Sequence, residues 1–300
     1  MSLKTPKSLQ IRSRDFVRDD RYVEMPVLYQ YWFEYLRLSP SYELARRYRL
    51  EKLSATDKKR LPKDFDQVLK VFDDFGNLQK QLFKPWWVQT GLTLMGTPTK
   101  RPTPKSVAKL TSNKDQENVL ENVEKYLRND WVEIGEPETL LLAIPLNIKR
   151  SRLMKEITQI LSDSISNKPT QLKAQYQLLR KKTHLQTLKM GFKTLWIRAL
   201  RPDGELWRIG AETEISKTYS KEVDAKAIKK TVLTSQARQM LTIMTSRALL
   251  NATMVAENAA RGIFPSNAKH PNAVKFDSHE FHQVLARLSN WSKREKAKYR

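Results

Sequence analysis

Lys and Arg total 55 in this 300-residue chain against 32 Asp and Glu, a formal charge of +23. A compact body with that imbalance repels itself, and a polyanionic partner is its simplest explanation. Nucleic acid is therefore the expected partner, with an anionic membrane surface or an acidic protein as the alternatives. The excess is also uneven. From Ser164 to Pro202 there is no acidic residue, while Lys168, Lys173, Arg180, Lys181, Lys182, Lys189, Lys193, Arg198 and Arg201 accumulate. A charge run of this kind is either a solvated helix face or a surface that tracks phosphates, and its length favours the second.

The chain still has the means to fold. Its hydrophobic share is 40%, with seven Trp, ten Tyr and ten Phe, enough apolar area for real cores. A single core usually stops growing near ~250 residues, so two lobes are expected. There is no Cys, which removes disulfides, thiolate zinc sites and a Cys nucleophile together and agrees with a reducing compartment. No apolar run approaches a membrane span, and the start MSLKTPKSLQIRSR lacks the apolar centre of a secretory signal. A cytoplasmic protein without membrane contact is expected.

The segment from Met25 to Glu51 is dense in aromatics and reads as two short helices broken at Pro40, with Ser39 and Glu43 suited to a helix start. An amphipathic helix ending at Gly76 follows, and FKPWWVQTGLTLMG packs aromatics between turn residues. Residues 97–114 hold Pro98, Pro102 and Pro104 with five basic residues and no acid, the composition of an extended linker or exposed loop. The expected organisation is an aromatic helical lobe over 1–96, this basic linker over 97–114, and a basic lobe over 115–300. In the last lobe NVLENVEKYLRND is expected to be helical. EPETLLLAIPLNI has strand length and precedes the amphipathic helix SRLMKEITQILSDS. A long helix follows Asp224, stopped by Gly262 and Pro265. The fold class is thus mainly α with a small β element.

Residues 188–230 carry the most specific pattern. They read as a helix to Leu200, a turn at Arg201-Pro202-Asp203-Gly204, a short helix Glu205 to Thr213, a tight turn at Glu214-Ile215, and a helix capped by Ser216. Ile209 and Gly210 suit a helix crossing, and Ile215 suits the apolar position after a turn, the order of a helix-turn-helix. Such a unit would present Lys217, Thr218, Ser220 and Lys221 to a major groove. A β-hairpin pairing KTLWIRAL with ELWRIGAE is the alternative. The candidate nucleic-acid-binding residues are therefore Lys217, Thr218, Ser220, Lys221, Lys173, Arg180, Lys181, Lys182, Lys189, Lys193, Arg198 and Arg201.

The opening YQYWFEYLRLSPSYELARRY resembles the W-x-F-L-R-x-N-P-x-Y start of transcriptional-regulator-like proteins of bacterial plasmids and integrative elements, through Trp32, Phe33, Tyr35, Leu36, Arg37, Pro40 and Tyr42. LLLAIPLNIKRSRLMKEI and LWIRALRPDGELWRIGAE are similar to the strand, helix and glycine-containing helix-turn-helix of that group. The resemblance covers about a third of the chain. Ser39 stands where the family tends to Asn, and residues 57–113 match nothing in the family. It implies a DNA-binding protein of a mobile element that regulates or maintains it. A non-catalytic subunit of a larger nucleoprotein complex holding RNA or single-stranded DNA is the second reading, and a metal-dependent nuclease the third.

Other groupings point elsewhere with less force. His279 and His282 share a helix face near Asp277 and His270, but the spacing is not H-E-x-x-H. Asp203, Glu214 and Lys217 approximate a nuclease triad with one residue too many between Glu and Lys. Trp86 and Trp87 fit a core or a base-stacking platform. Arg46, Arg47 and Arg49 fit phosphate contact or solvation. The aromatic N-terminal segment reads first as packing and offers a surface for a protein partner. No catalytic residue, metal or cofactor is expected.

Overall fold

The computed structural model describes residues 21, 23, 26–164, 174–179, 184–225 and 232–297. It is mainly helical, and its contacts divide the chain into two compact units: residues 23–95 with 175–300, and residues 96–174.

The first unit is built on α1 (Pro26–Leu36) and α2 (Pro40–Leu50). Ser39 separates them, its Oγ accepting from the Tyr42 N–H at 3.2 Å, while Pro40 takes the first helical position. Proline is favoured there because that N–H has no intrahelical partner to lose. Next come α3 (Ala55–Lys59), started by the reciprocal cap of Ser54 and Asp57, and α4 (Phe65–Phe75), closed at Gly76 with φ +76°. FKPWWVQTGLTLM forms α5 (Phe83–Trp86) and α6 (Leu92–Met95) around a π-turn over Trp87–Gly91. Three further large helices belong to this unit, α10 (Leu185–Leu200), α13 (Ser235–Ala259) and α14 (Ser278–Ala297). The short α11 (Leu206–Thr213) and α12 (Lys217–Glu222) complete it.

Its core is aromatic. Trp32, fully buried, stacks on Phe264 and meets Phe75 and Tyr176, and its indole N–H donates to the Ala259 carbonyl at 3.2 Å. The buried Tyr35 hydroxyl donates to the Leu188 carbonyl at 2.8 Å, and burial pushes its ionisation far above the usual tyrosine range. These bonds join α1 to α10 and to the end of α13. They explain why 175–300 packs with 23–95 and does not stand as a lobe with 115–174, as expected: the apolar faces of α10, α13 and α14 are filled by side chains of α1 to α4. The Pro-rich stretch 97–112 is largely exposed, as its composition suggests, but it groups with the residues after it.

The second unit holds α7 (Gln116–Lys125), a π-turn over Tyr126–Asp130, α8 (Trp131–Glu133) and α9 (Arg150–Ser164). Tyr126 is the one large apolar side chain buried among its described residues. The expected strand does not form. Residues 137–145 have no regular secondary structure, and Leu140, Leu141, Leu142 and Ile144 are exposed. Among the described residues the β content is bridges, such as that between Leu178 and Phe264 in the first unit.

Candidate nucleic-acid interface

Residues 185–200 are helical, so KTLWIRAL does not form the alternative hairpin. After α10 the chain turns at Arg201–Gly204, and α11 ends at Glu214, whose φ of +56° and ψ of +44° are left-handed. The Ile215 N–H donates to the Gly210 carbonyl at 3.0 Å across that turn. Ser216 begins α12, its Oγ accepting from the Tyr219 N–H at 3.4 Å. This left-handed position would suit glycine better than glutamate.

Two faces of α12 are distinguished by helical spacing. Ile215, Tyr219 and Val223, four residues apart, pack against Trp207, Ala211 and Leu241. Lys217, Thr218, Lys221 and Glu222 are exposed on the other side. Beneath them Gly210 lies against α13, where an added Cβ would stand 3.2 Å from the Leu241 carbonyl oxygen and closer still to Thr245 Oγ1. The crossing expected at Ile209-Gly210 is thus made chiefly with α13. Arg208 braces the unit: it pairs with Glu205 at 2.9 Å, donates to the Ala225 carbonyl at 2.8 Å and lies over the Trp207 ring.

The expected site residues separate into three sets. Lys217, Thr218 and Lys221 are exposed together, and Lys189 is exposed on α10. Ser220 is turned inward, its hydroxyl buried and without a hydrogen-bond partner among the described residues, so it is not presented as expected. The third set is engaged locally. Lys193 Nζ donates to the Glu212 and Thr213 carbonyls at 3.1 and 3.4 Å, satisfying the C-terminal end of α11. Arg198 donates to the Gly204 carbonyl at 2.7 Å, and Arg201 pairs with Glu212 at 2.5 Å. Lys173, Arg180, Lys181 and Lys182 lie outside the described residues. The capping role of Lys193 had no sequence signal, because its carbonyl partners are set by how α10 packs on α11. Exposed acids also stand nearby, with Glu214 before α12 and Glu222 at its end.

Of the arginines of α2, Arg46 and Arg47 meet neither expectation, whereas Arg49 remains exposed in a surface ion pair. Arg46 reaches Glu43 and Glu51, both at 2.8 Å, Arg47 reaches Glu43, Asp57 and Glu280, and Arg49 reaches Asp73 at 2.6 Å. The buried Glu43 also receives Arg287 at 2.8 Å. Burial alone would raise the Asp57 carboxyl, but its hydrogen bonds from Ser54 and the charges of Arg47 and Arg60 hold it below the usual range. Trp86 and Trp87 are core residues, not a stacking platform, and Tyr29, Trp32, Phe33 and Tyr35 are spent on packing within the chain, while Val27, Tyr48 and Leu50 of the same segment are exposed.

The remaining groupings do not come together as sites. His279 meets the exposed Asp203 at 3.2 Å, His282 Nδ1 lies 3.1 Å from the Ala199 carbonyl, and His270 is 3.7 Å from Asp64. Among the described residues no cluster of three or more His, Asp or Glu is arranged to hold a metal ion, and no helix is long and apolar enough to cross a membrane. Comparison with protein-family models, with curated proteins and with solved structures finds no match to the chain.

Proposed function

We propose that the chain is a non-catalytic double-stranded-DNA-binding protein that uses α11 and α12 as a helix-turn-helix, and that it regulates or maintains a bacterial mobile element. The observation that carries this reading is the division of α12 into a packed apolar face and an exposed face bearing Lys217, Thr218 and Lys221. A recognition helix needs that division, because one side must be held rigidly while the other enters a groove. Lysine and threonine donors reach base edges and phosphates alike.

Charge supports the choice of partner. Residues 175–300 hold 24 of the 55 Lys and Arg and only 10 of the 32 acids, and two of those acids, Glu257 and Glu280, face inward onto Arg261, Arg47 and Arg60. Duplex is favoured over single strands because base stacking needs exposed aromatic faces. Among the described residues Trp86 and Trp87 are packed inside, and the one exposed ring, Tyr48, is covered by Arg49 at 5.6 Å.

The test is duplex binding against salt. A single preferred duplex is expected to bind ~10³-fold or more tightly than random DNA. The double change Lys217→Ala with Lys221→Ala should lower the slope of log affinity against log salt by about 1 to 2 while helicity is retained. Lys80→Ala, an exposed lysine on another part of the unit, is the control. Equal affinity for all duplexes, or an unchanged slope in the α12 variant, rules the reading out; tighter binding to RNA or single strands transfers it to a nucleoprotein subunit.

A further inference from the structure

Charges of the two signs are sorted in the first unit where the chain after α3 meets the loop before α14. The acids turn inward: Asp57 pairs with Arg47 at 3.0 Å, Asp64 with Arg261 at 2.7 Å, and Glu280 with Arg47 at 2.7 Å and Arg60 at 2.9 Å. Asp277 caps α14, accepting from the His279 and Glu280 N–H groups at 2.9 and 3.3 Å. The lysines of the same stretches stay in solvent. Lys58, Lys59, Lys63, Lys269 and Lys275 are exposed, and none has an acid within ion-pair distance among the described residues. Their grouping had no sequence signal, because it joins segments from opposite ends of the chain.

Between these segments lies a cleft of about 350 Å³, lined by residues 60–63 on one side and 271–275 on the other. Lys63 and Lys275 thus belong to opposite walls, and the lining holds no carboxylate and no aromatic side chain. Asp66, exposed on α4, lies outside it. The walls are tied together: Arg261 joins Asp64 to the Asn272 carbonyl, which it reaches at 2.8 Å, and Arg60 holds Glu280. The lysines are therefore gathered before any ligand arrives, and an anion that neutralises them relieves their mutual repulsion. What the lining lacks narrows the choice of ligand. There is no ring on which a base could stack, and no carboxylate to orient a sugar hydroxyl or an amine. Lysines, compact charges on flexible stems, suit phosphate without reading a sequence. The loop that carries Lys275 runs on to Ser278 and His279, which meet Pro202 and Asp203 in the turn before α11 at 3.4 and 3.2 Å.

We propose that this cleft is a second contact for nucleic acid, in which Lys63 and Lys275 hold phosphates of the duplex backbone and Lys59 and Lys269 extend the track at its two ends. The inference rests on the reading that the partner is DNA, but not on α12 being the helix that reads it. In this division α12 selects the duplex, and the cleft adds the same affinity for every sequence.

Two readouts on the full-length chain test this. Lys63→Ala with Lys275→Ala should lower the slope of log affinity against log salt by about 2. It should weaken binding to a preferred and to a random duplex by the same factor, with helicity unchanged. Lys63→Arg with Lys275→Arg should keep the parent slope, and Lys80→Ala should leave it unaltered. In the second readout, lysine acetylation followed by mass spectrometry should find Lys63 and Lys275 protected by duplex DNA. The protection should persist at saturating DNA when Lys217→Ala and Lys221→Ala are present. Protection without preference among duplexes removes the α12 reading and keeps the cleft. Preference without protection, or an unchanged slope in the Lys63 and Lys275 variant, overturns the cleft and keeps α12. Equal protection by inorganic phosphate at the same phosphate concentration also overturns it, by assigning a small-anion site, and a chain that binds no duplex in dilute buffer overturns both.

Discussion

At Gly210 the backbone of α11 comes close enough to α13 that a single methyl group has no room. Ordinarily Gly→Ala inside a helix gains about 1 kcal/mol, but here the new Cβ meets Thr245 Oγ1 and stands 3.2 Å from the Leu241 carbonyl oxygen. Overpacking a tight helix crossing costs about 1–3 kcal/mol, so Gly210→Ala is expected to lower the urea midpoint. Thr245→Ala on that background should recover part of the loss, because the Thr245 hydroxyl is buried without a hydrogen-bond partner among the described residues and its removal clears the nearest obstacle. A variant more stable than the parent would show that the helices do not approach this closely. Glu257 works in the opposite way, through what it accepts. It is fully buried, and its two oxygens receive the Ser39 and Ser41 hydroxyls, the Ser41 and Val274 N–H groups and Arg261. Ser39, at the position where the resembling family tends to Asn, is thereby tied to α13 as well as capping α2.

Among the elements, those with a local chemical start or stop were readable. Ser39-Pro40 opens α2, Gly76 closes α4, Ser216 opens α12 and Gly262, at φ +78°, takes the chain away from α13. Each depends on residues within a few positions. What periodicity could not supply was pairing at a distance. EPETLLLAIPLNI has the composition of a strand, yet a strand exists only with a neighbour, and none is present among the described residues. Likewise the sequence shows that Arg47, Lys193 and Arg198 are cationic but not that carboxylates and carbonyls beyond their own helices would occupy them. The surface of α12 that remains is therefore smaller than the basic run implied, and Glu222 interrupts it. If DNA lies along this helix, Glu222→Gln removes a repulsion and should tighten duplex binding about 2–3-fold at low salt, with the gain fading as salt screens it. Fluorescence anisotropy at two salt concentrations reads this directly, and unchanged or weaker binding at both would place the contact elsewhere.

On the scale of the whole molecule, a charge of +23 makes the remaining acids unusually consequential. Several of them join segments distant in sequence: Asp64 meets the fully buried Arg261 at 2.7 Å, and Glu280 meets Arg60 at 2.9 Å and Arg47 at 2.7 Å. For Asp64, burial alone would raise the carboxyl, but the Arg261 hydrogen bond and charge outweigh it and hold it below its ordinary value; Glu51 is lowered by Arg46. A carboxyl depressed in the folded state releases its proton more readily there than in the unfolded chain. Its stabilisation is complete above the unfolded value, near ~4, and disappears as pH falls through the lower folded value. Stability is therefore expected to hold between about pH 5 and 7 and to fall steeply below about pH 4, as protonation removes these links and adds to an existing excess of positive charge. Asp64→Asn isolates one link. It should cost about 1.5–3 kcal/mol at pH 7, the range for a hydrogen bond to a charged group, and progressively less toward pH 2, as the native Asp64 carboxyl takes up its proton. Urea midpoints for both proteins across that range measure the difference; a gap that stays constant with pH would mean that Asp64 acts through shape and not through its charge.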